Sequence, residues 1–316
     1  MHLLATTPGT IADGSEAVDL GQSPGDIVVL SAADTELACF AAARERLDAP
    51  RFPSLRLASL LHLGHNLSVD LYVEKTIASA RLVIVRLLGG RSYWPYGVEQ
   101  VEAICRERGI ALALLPGDDQ PDRELLELST LPEEAVHRLW QYCVHGGMSN
   151  AISLLCYASS LIGNEMEWRE PQPLLRAGLY RPGQERCSLG ELQASWQPGR
   201  ATALLVFYRA LVQAGTLKVV DALIDGLQAA GLNPLPVYVT SLKDAVAAAT
   251  LADLTAQAAP DIILNATAFA VSVPGAERAA GPFENTDCPV IQVIFSGGNE
   301  AGCRGSAGGR SPQRRR

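Results

Sequence analysis

The sequence predicts an α/β protein of two blocks with mainly parallel sheets, Rossmann-like or flavodoxin-like, joined by a helical segment. Three observations predict it. Short apolar runs alternate with amphipathic stretches through the first third of the chain, a helical pattern fills the middle, and the alternation resumes near residue 200. The expected division is a first α/β block over 1–120, a helical segment with a proline-containing connection over 121–199, a second α/β block over 200–298, and a basic tail over 299–316.

In the first block, MHLLAT and DIVVLSA (26–32) read as strands, and Asp34 as the cap of a helix, TELACFAAARERLD. LRLASLL (55–61) and SVDLYVEKTIASA follow. RLVIVRLL (81–88) is a continuous apolar run of the kind buried on both faces of a parallel sheet. GVEQVEAICRERG is a helix stopped by Gly109, and IALALLPGD is the next strand. Such alternation implies right-handed βαβ units.

In the middle, LPEEAVHRLWQYCVHGG starts with Pro132 in a favoured first-turn position and stops at two glycines. SNAISLLCYASSLIG starts at a Ser/Asn cap. Pro171, Pro173, Pro182 and Pro198 mark 164–199 as a connection. The second block gives strands in ATALLVFYRAL, NPLPVYVTSL, DIILNATAFAV and CPVIQVIFSGG. Helices are expected in TLKVVDALIDGLQAAG and LKDAVAAATLADLTAQAA.

The chain has 316 residues, 48% of them hydrophobic and 19% charged, which suits packed cores rather than disorder. From Asn299 the sequence carries five arginines against one glutamate, a charge of +4. The net charge of −8 therefore leaves −12 on residues 1–298, which argues against nucleic acid as partner. The apolar run AISLLCYASSLIG is shorter than the roughly 20 residues that cross a bilayer. MHLLATTPGT lacks the basic start of a secretory leader, and a cytoplasmic location without membrane contact is expected. The seven cysteines are odd in number, contain no CxxC and lie mostly in apolar segments, which fits buried thiols rather than a disulfide framework or zinc site.

The densest chemical feature is LLGGRSYWPYG (87–97). Tyr93, Trp94 and Tyr96 crowd beside Gly89 and Gly90 at the carboxyl end of a predicted strand, although aromatic residues are only 6% of the chain. Ligands gather at such ends in open α/β sheets, and flat rings suit a flat or macrocyclic ligand. The same residues also suit a turn that packs on the neighbouring helix or fills a gap between domains, and both readings stand. Neither a GxxxxGK phosphate loop nor GxGxxG is present. His62 and His65, in HLGH, lack third and fourth ligands at a telling spacing, so surface or capping roles are expected. His145 is expected to meet the last carbonyls of its helix. Arg209 ends one buried strand, and Asn265 and Thr267 end another. Each is an internal hydrogen-bond partner or a site residue, with the structural role preferred. Catalytic residues are unassigned, and no protein metal site is expected.

Several stretches taken in order resemble the amino-terminal part of the large subunit of cobaltochelatases and, more distantly, their magnesium-chelatase relatives. They are DLGQSPGDIVVLSAAD, SVDLYVEKT, VIVRLLGGRSYWPYG, GGMSN, LRAGLYRPG, LLVFYRALVQAG, LNPLPVYVTSLKD and DIILNATAFAV, which span almost all of 1–298. The resemblance implies ATP-dependent insertion of Co2+ into hydrogenobyrinic acid a,c-diamide during aerobic cobalamin biosynthesis. It implies Co2+ as substrate metal, ATP used by partner ATPase motor subunits, and metal-site residues in a carboxyl-terminal body beyond this stretch. Tyr93, Trp94, Tyr96, Arg209 and Asn265 are the substrate-binding candidates by position. The basic end reads as a frame-shifted terminus of a truncated head, or as a natural disordered tail. The head alone is expected to be inactive and to expose a sheet edge. Two alternatives remain: a magnesium-chelatase relative acting on protoporphyrin, and a non-catalytic tetrapyrrole-binding module.

Overall fold

A computed structural model describes residues 16–48, 50–267, 283 and 286–295. The MHLLAT strand and the basic tail lie outside the described residues. The chain divides into two compact units. One holds the residues up to Leu175 together with Ala210–Leu217, and the other holds Arg176–Arg209 and the residues from Lys218 onward.

In the first unit, strands β1 (Ile27–Ser31), β2 (Leu55–Ser59), β3 (Leu82–Leu87) and β4 (Ala111–Pro116) form a parallel sheet in the order β2-β1-β3-β4. This is the flavodoxin-like order. Alternation along each strand separates two cores. Ile27, Val29, Leu82, Ile84, Ala113 and Leu115 face α1 (Asp34–Glu45), α5 (Glu133–His145) and α6 (Met148–Leu161). Val28, Leu30, Val83, Val85, Leu112 and Leu114 face α2 (Asn66–Lys75) and α3 (Pro95–Arg108), with Leu125 of α4 (Arg123–Leu128) beside them. The helical middle of the sequence thus covers one face of the first sheet.

Local details differ from expectation in three places. Asp34 is the first residue of α1 rather than its cap. Ala33 holds the cap position, and Asp34 with Glu36 brings negative charge to the positive end of the helix. Ser149 and Asn150 lie inside α6, because Gly146 and Gly147, both at positive φ, turn the chain and let the helix start at Met148. Asn150 instead donates to the Gly146 and Gln172 carbonyls at 2.7 and 2.9 Å and accepts from the Gln172 amide at 2.8 Å. Pro132 sits at the cap position of α5, one residue before the helix.

In the second unit, β5 (Ala177–Arg181) and β6 (Gln184–Cys187) form an antiparallel hairpin within the expected connection, followed by α7 (Leu189–Gln193). β7 (Thr202–Tyr208), α8 (Arg209–Gln213), α9 (Lys218–Ala229), β8 (Asn233–Val239), α10 (Ala245–Ala258), β9 (Ile262–Asn265) and β10 (Val290–Gln292) complete it. The sheet order is β10-β9-β7-β8-β5-β6, parallel from β10 to β8, with the hairpin antiparallel at the other side. Leu204, Val206, Leu235, Val237 and Ile263 pack on Ala247 and Leu251 of α10. β10 is an edge strand whose three residues are all exposed. Of these elements, only residues 210–213 of α8, with the turn to Leu217, are assigned to the first unit. There the Gln213 carbonyl accepts from the Gly147 amide and its side chain donates to the Val144 carbonyl, both at 2.8 Å.

No helix among the described residues is long and apolar enough to cross a membrane.

Candidate functional site

In a parallel sheet the chain reverses direction, and ligands collect, where neighbouring strands connect outward to opposite sides. In the first sheet that point lies between β1 and β3, and in the second between β7 and β9. The turn after β3 carries Tyr93, Trp94 and Tyr96, whereas Arg209 and Asn265 stand at the carboxyl ends of β7 and β9.

The three aromatic residues divide into separate roles. Trp94 is 7% exposed, and its indole N–H donates to the Leu63 carbonyl at 2.8 Å. Its ring occupies the space over Gly97, where a Cβ would lie 1.9 Å from the indole. Trp94 is therefore an anchor that pins α3 to the turn after β2. Tyr96 donates to Asp70 Oδ1 at 2.7 Å, and this bond raises the phenol pKa. Tyr93, 42% exposed, presents its ring to solvent on a short 3-10 turn formed by Arg91–Tyr93. Arg91 pairs with Glu124 at 3.2 Å, and the Gly90 backbone approaches Asp122 so closely that a Cβ there would meet Asp122 Oδ2 at 2.8 Å.

Beside this turn is a polar cluster that motif reading passed over. Arg86, near the end of β3, forms an ion pair with Glu36 of α1 and donates to the Gly117 carbonyl at 2.9 Å. The Ser31 hydroxyl donates to Glu36 at 2.7 Å and accepts from the Ala33 amide at 3.1 Å. Burial works against the Arg86 charge, yet Glu36, with Cys143, holds its pKa above the usual arginine value. Burial pushes the Cys143 thiol up to about 12. Ser59, in register with Ser31 on the adjacent strand, has a buried hydroxyl oxygen without a hydrogen-bond partner. The signal was present in the sequence: Arg86 interrupts the apolar run of β3, and an arginine there requires a carboxylate.

In the second unit, Asn265 is an internal bonding group. Its Oδ1 accepts from the Thr267 amide at 3.1 Å and hydroxyl at 2.7 Å, and its Nδ2 donates to Gln292 of β10 at 3.1 Å. Arg209 is partly buried and begins α8. Arg176 pairs with Asp244 at 2.6 Å, and Tyr180 donates to Asp221 at 2.6 Å. A cavity of about 390 Å³ lined by Trp196, Arg200 and Asn233 lies at the opposite, amino end of β8. His65 caps α2 by accepting from the Leu67 amide at 3.1 Å, one of the two roles expected for the HLGH histidines. No three His, Cys, Asp or Glu side chains among the described residues gather to hold a metal ion.

Two mainly parallel sheets with polar and aromatic residues at strand carboxyl ends define an α/β protein. A CobN/Magnesium Chelatase family model matches residues 140–314, more than half of the chain, and the chain belongs to that family. The aerobic cobaltochelatase subunit CobN of a Sinorhizobium species is 48% identical over 310 residues, covering 95% of this chain and 24% of that protein. The protein of the same name from Pseudomonas aeruginosa is 41% identical over 297 residues, covering 94% of this chain and 24% of its own length. The chain thus spans about a quarter of the length of these relatives. The catalytic subunit of cobaltochelatase from Mycobacterium tuberculosis has the same fold, with a TM-score of 0.62 and 23% identity over 85% of this chain and 21% of that one.

Proposed function

We propose that the chain is the head region of a cobaltochelatase large subunit. Together with partner ATPase subunits, that subunit inserts Co2+ into hydrogenobyrinic acid a,c-diamide in the cytoplasm, during aerobic cobalamin biosynthesis. The observation that carries this reading is the 48% identity with an aerobic cobaltochelatase subunit over 95% of the chain. Insertion requires a ring held in register, removal of protons from its nitrogens, and a metal stripped of its own ligands. We assign this region to holding the ring. In the first unit Tyr93 offers an exposed flat face on the turn that Trp94 and Tyr96 fix. In the second unit, taken by itself, Arg209 is the candidate for acidic ring substituents. Asn265 fixes the end of β9 through Thr267 and Gln292. The hydrolysis of ATP is assigned to the partner subunits, and Co2+ enters as substrate.

The test is metal insertion by the complete large subunit that contains this stretch, assembled with its ATPase partners. ATP-dependent appearance of the cobalt corrinoid, with protoporphyrin and Mg2+ left unreacted, is the expected result. Insertion of Mg2+ into protoporphyrin would overturn it in favour of a magnesium-chelatase role, which the family's shared description also admits. Ring binding without insertion of either metal would leave a tetrapyrrole-binding module.

A further inference from the structure

Three turns at the carboxyl rim of the first sheet are joined to one another and hold apolar side chains in water. The Trp94 indole donates to the Leu63 carbonyl at 2.8 Å, which keeps the turn after β3 beside the turn after β2. On its other side the turn after β3 meets the turn after β4. A Cβ on Gly117 would lie 2.6–2.9 Å from Leu88, and one on Gly90 would lie 2.8 Å from Asp122 Oδ2. Leu61 stands on the first of these turns, with Leu67 in the opening turn of α2 beyond it, and Leu88 and Tyr93 stand on the second. All four are between 41% and 49% exposed. Asp118 and Asp119, both exposed, stand on the third.

Single apolar side chains in water are ordinary, but a group of them on one rim marks a surface that takes a partner. The charge beside them says which kind. The Asp118 carboxylate accepts from the Gln120 amide at 3.0 Å and that of Asp119 from the Gln120 side chain at 3.1 Å, so each meets a neutral group and neither forms an ion pair among the described residues. Arg91, the cation of the turn after β3, is taken by Glu124 at 3.2 Å, and Arg123, at the start of α4, by Glu127 at 2.8 Å. The rim therefore combines apolar contact with unanswered negative charge, which repels an acidic partner and draws a basic one.

We propose that this rim is a docking surface for a basic, amphipathic segment of a partner protein. Its apolar side chains cover Leu61, Leu67, Leu88 and Tyr93, and its lysines or arginines meet Asp118 and Asp119. An amphipathic helix presents both kinds of side chain on adjoining strips, which suits a rim apolar on one side and acidic on the other. The surface stands on the geometry of the first unit alone and does not rest on the cobaltochelatase reading. A ring held against Tyr93 and a docked segment exclude one another, so the two occupy the rim by turns.

The test is fluorescence anisotropy of a labelled leucine–lysine helix of about 14 residues, titrated with the whole chain at about 0.15 M salt. A leucine–glutamate helix of the same length and a serine–lysine peptide of the same charge are the controls. Saturable binding of the leucine–lysine helix is expected, weakened about fivefold or more by Leu88→Ser with Tyr93→Ser, and likewise by Asp118→Asn with Asp119→Asn. Asp225→Asn, which removes an exposed carboxylate of the second unit, should leave it unchanged. Circular dichroism and unfolding midpoints of the variants report whether each is folded. Equal binding of the serine–lysine peptide would reduce the rim to a charged surface and overturn the proposal. Equal binding of the leucine–glutamate helix would overturn it too, as would absence of saturable binding to the folded chain or binding that both double variants leave intact. None of these results alters the outcome of the cobalt-insertion assay, which tests the family activity separately.

Discussion

At the scale of single residues, the aromatic turn shows how composition and role separate. Tyr93, Trp94 and Tyr96 are alike in sequence, yet one is an anchor, one a hydrogen-bond donor to Asp70, and one an exposed face. The difference follows from partners distant in sequence, as with the Leu63 carbonyl 31 residues before Trp94. The position most sensitive to change is therefore Gly97 rather than any ring. Gly97→Ala puts a methyl group into the indole of Trp94 and is expected to cost about 1–3 kcal/mol as the ring is displaced. A lowered urea midpoint with an unchanged slope would report it. An unchanged midpoint would show that the indole moves aside freely.

At the scale of elements, the parallel strands were legible because most are predominantly apolar runs between glycines or polar caps, as in IALALLPG. The β5–β6 hairpin was not, since its strands are short, polar at the outer edge and set among prolines. Arg209 and Asn265 were legible as polar groups closing buried strands. The ion pair of Arg176 with Asp244 was not, because it depends on β5 running antiparallel beside β8. Strand starts are tied as firmly as their ends. Asp26, just before β1, accepts from the amide of Ser54 at 2.9 Å and from its hydroxyl at 2.5 Å, just before β2. The Ser54 hydroxyl bond chiefly lowers the Asp26 pKa, against some burial. A depressed carboxylate contributes stability that is present above the unfolded value, about 3.9, and is lost as pH falls through the folded one. The stability gap between the protein and its Asp26→Ala variant should thus be full at neutral pH and close progressively below about pH 4. Urea midpoints measured from pH 7 to pH 2.5 would check this; a gap independent of pH would refute the assignment.

At the scale of the whole molecule, the first unit is completed by residues 210–217, which arrive only after β5, β6 and β7 of the other unit. Gly146 permits this, since a Cβ there would lie 2.5 Å from the Gln213 side chain. Val212 is fully buried, and Gly215 faces Cys39 and Met148. Amides of 210–217 should therefore exchange with solvent in step with those of the corner between α5 and α6, rather than with β7 and α9, their neighbours in sequence. Gln213→Ala should speed both groups together and leave β8 unaffected, and exchange that followed sequence neighbours would contradict the assignment. A ribosome releases a chain from its amino end, so the first unit cannot be finished until β5, β6 and β7 of the second have already emerged. Until Leu217 leaves the exit tunnel, a nascent chain carries a complete first sheet in a unit with an unfilled seam, an interval of synthesis in which apolar surface stands open to a chaperone.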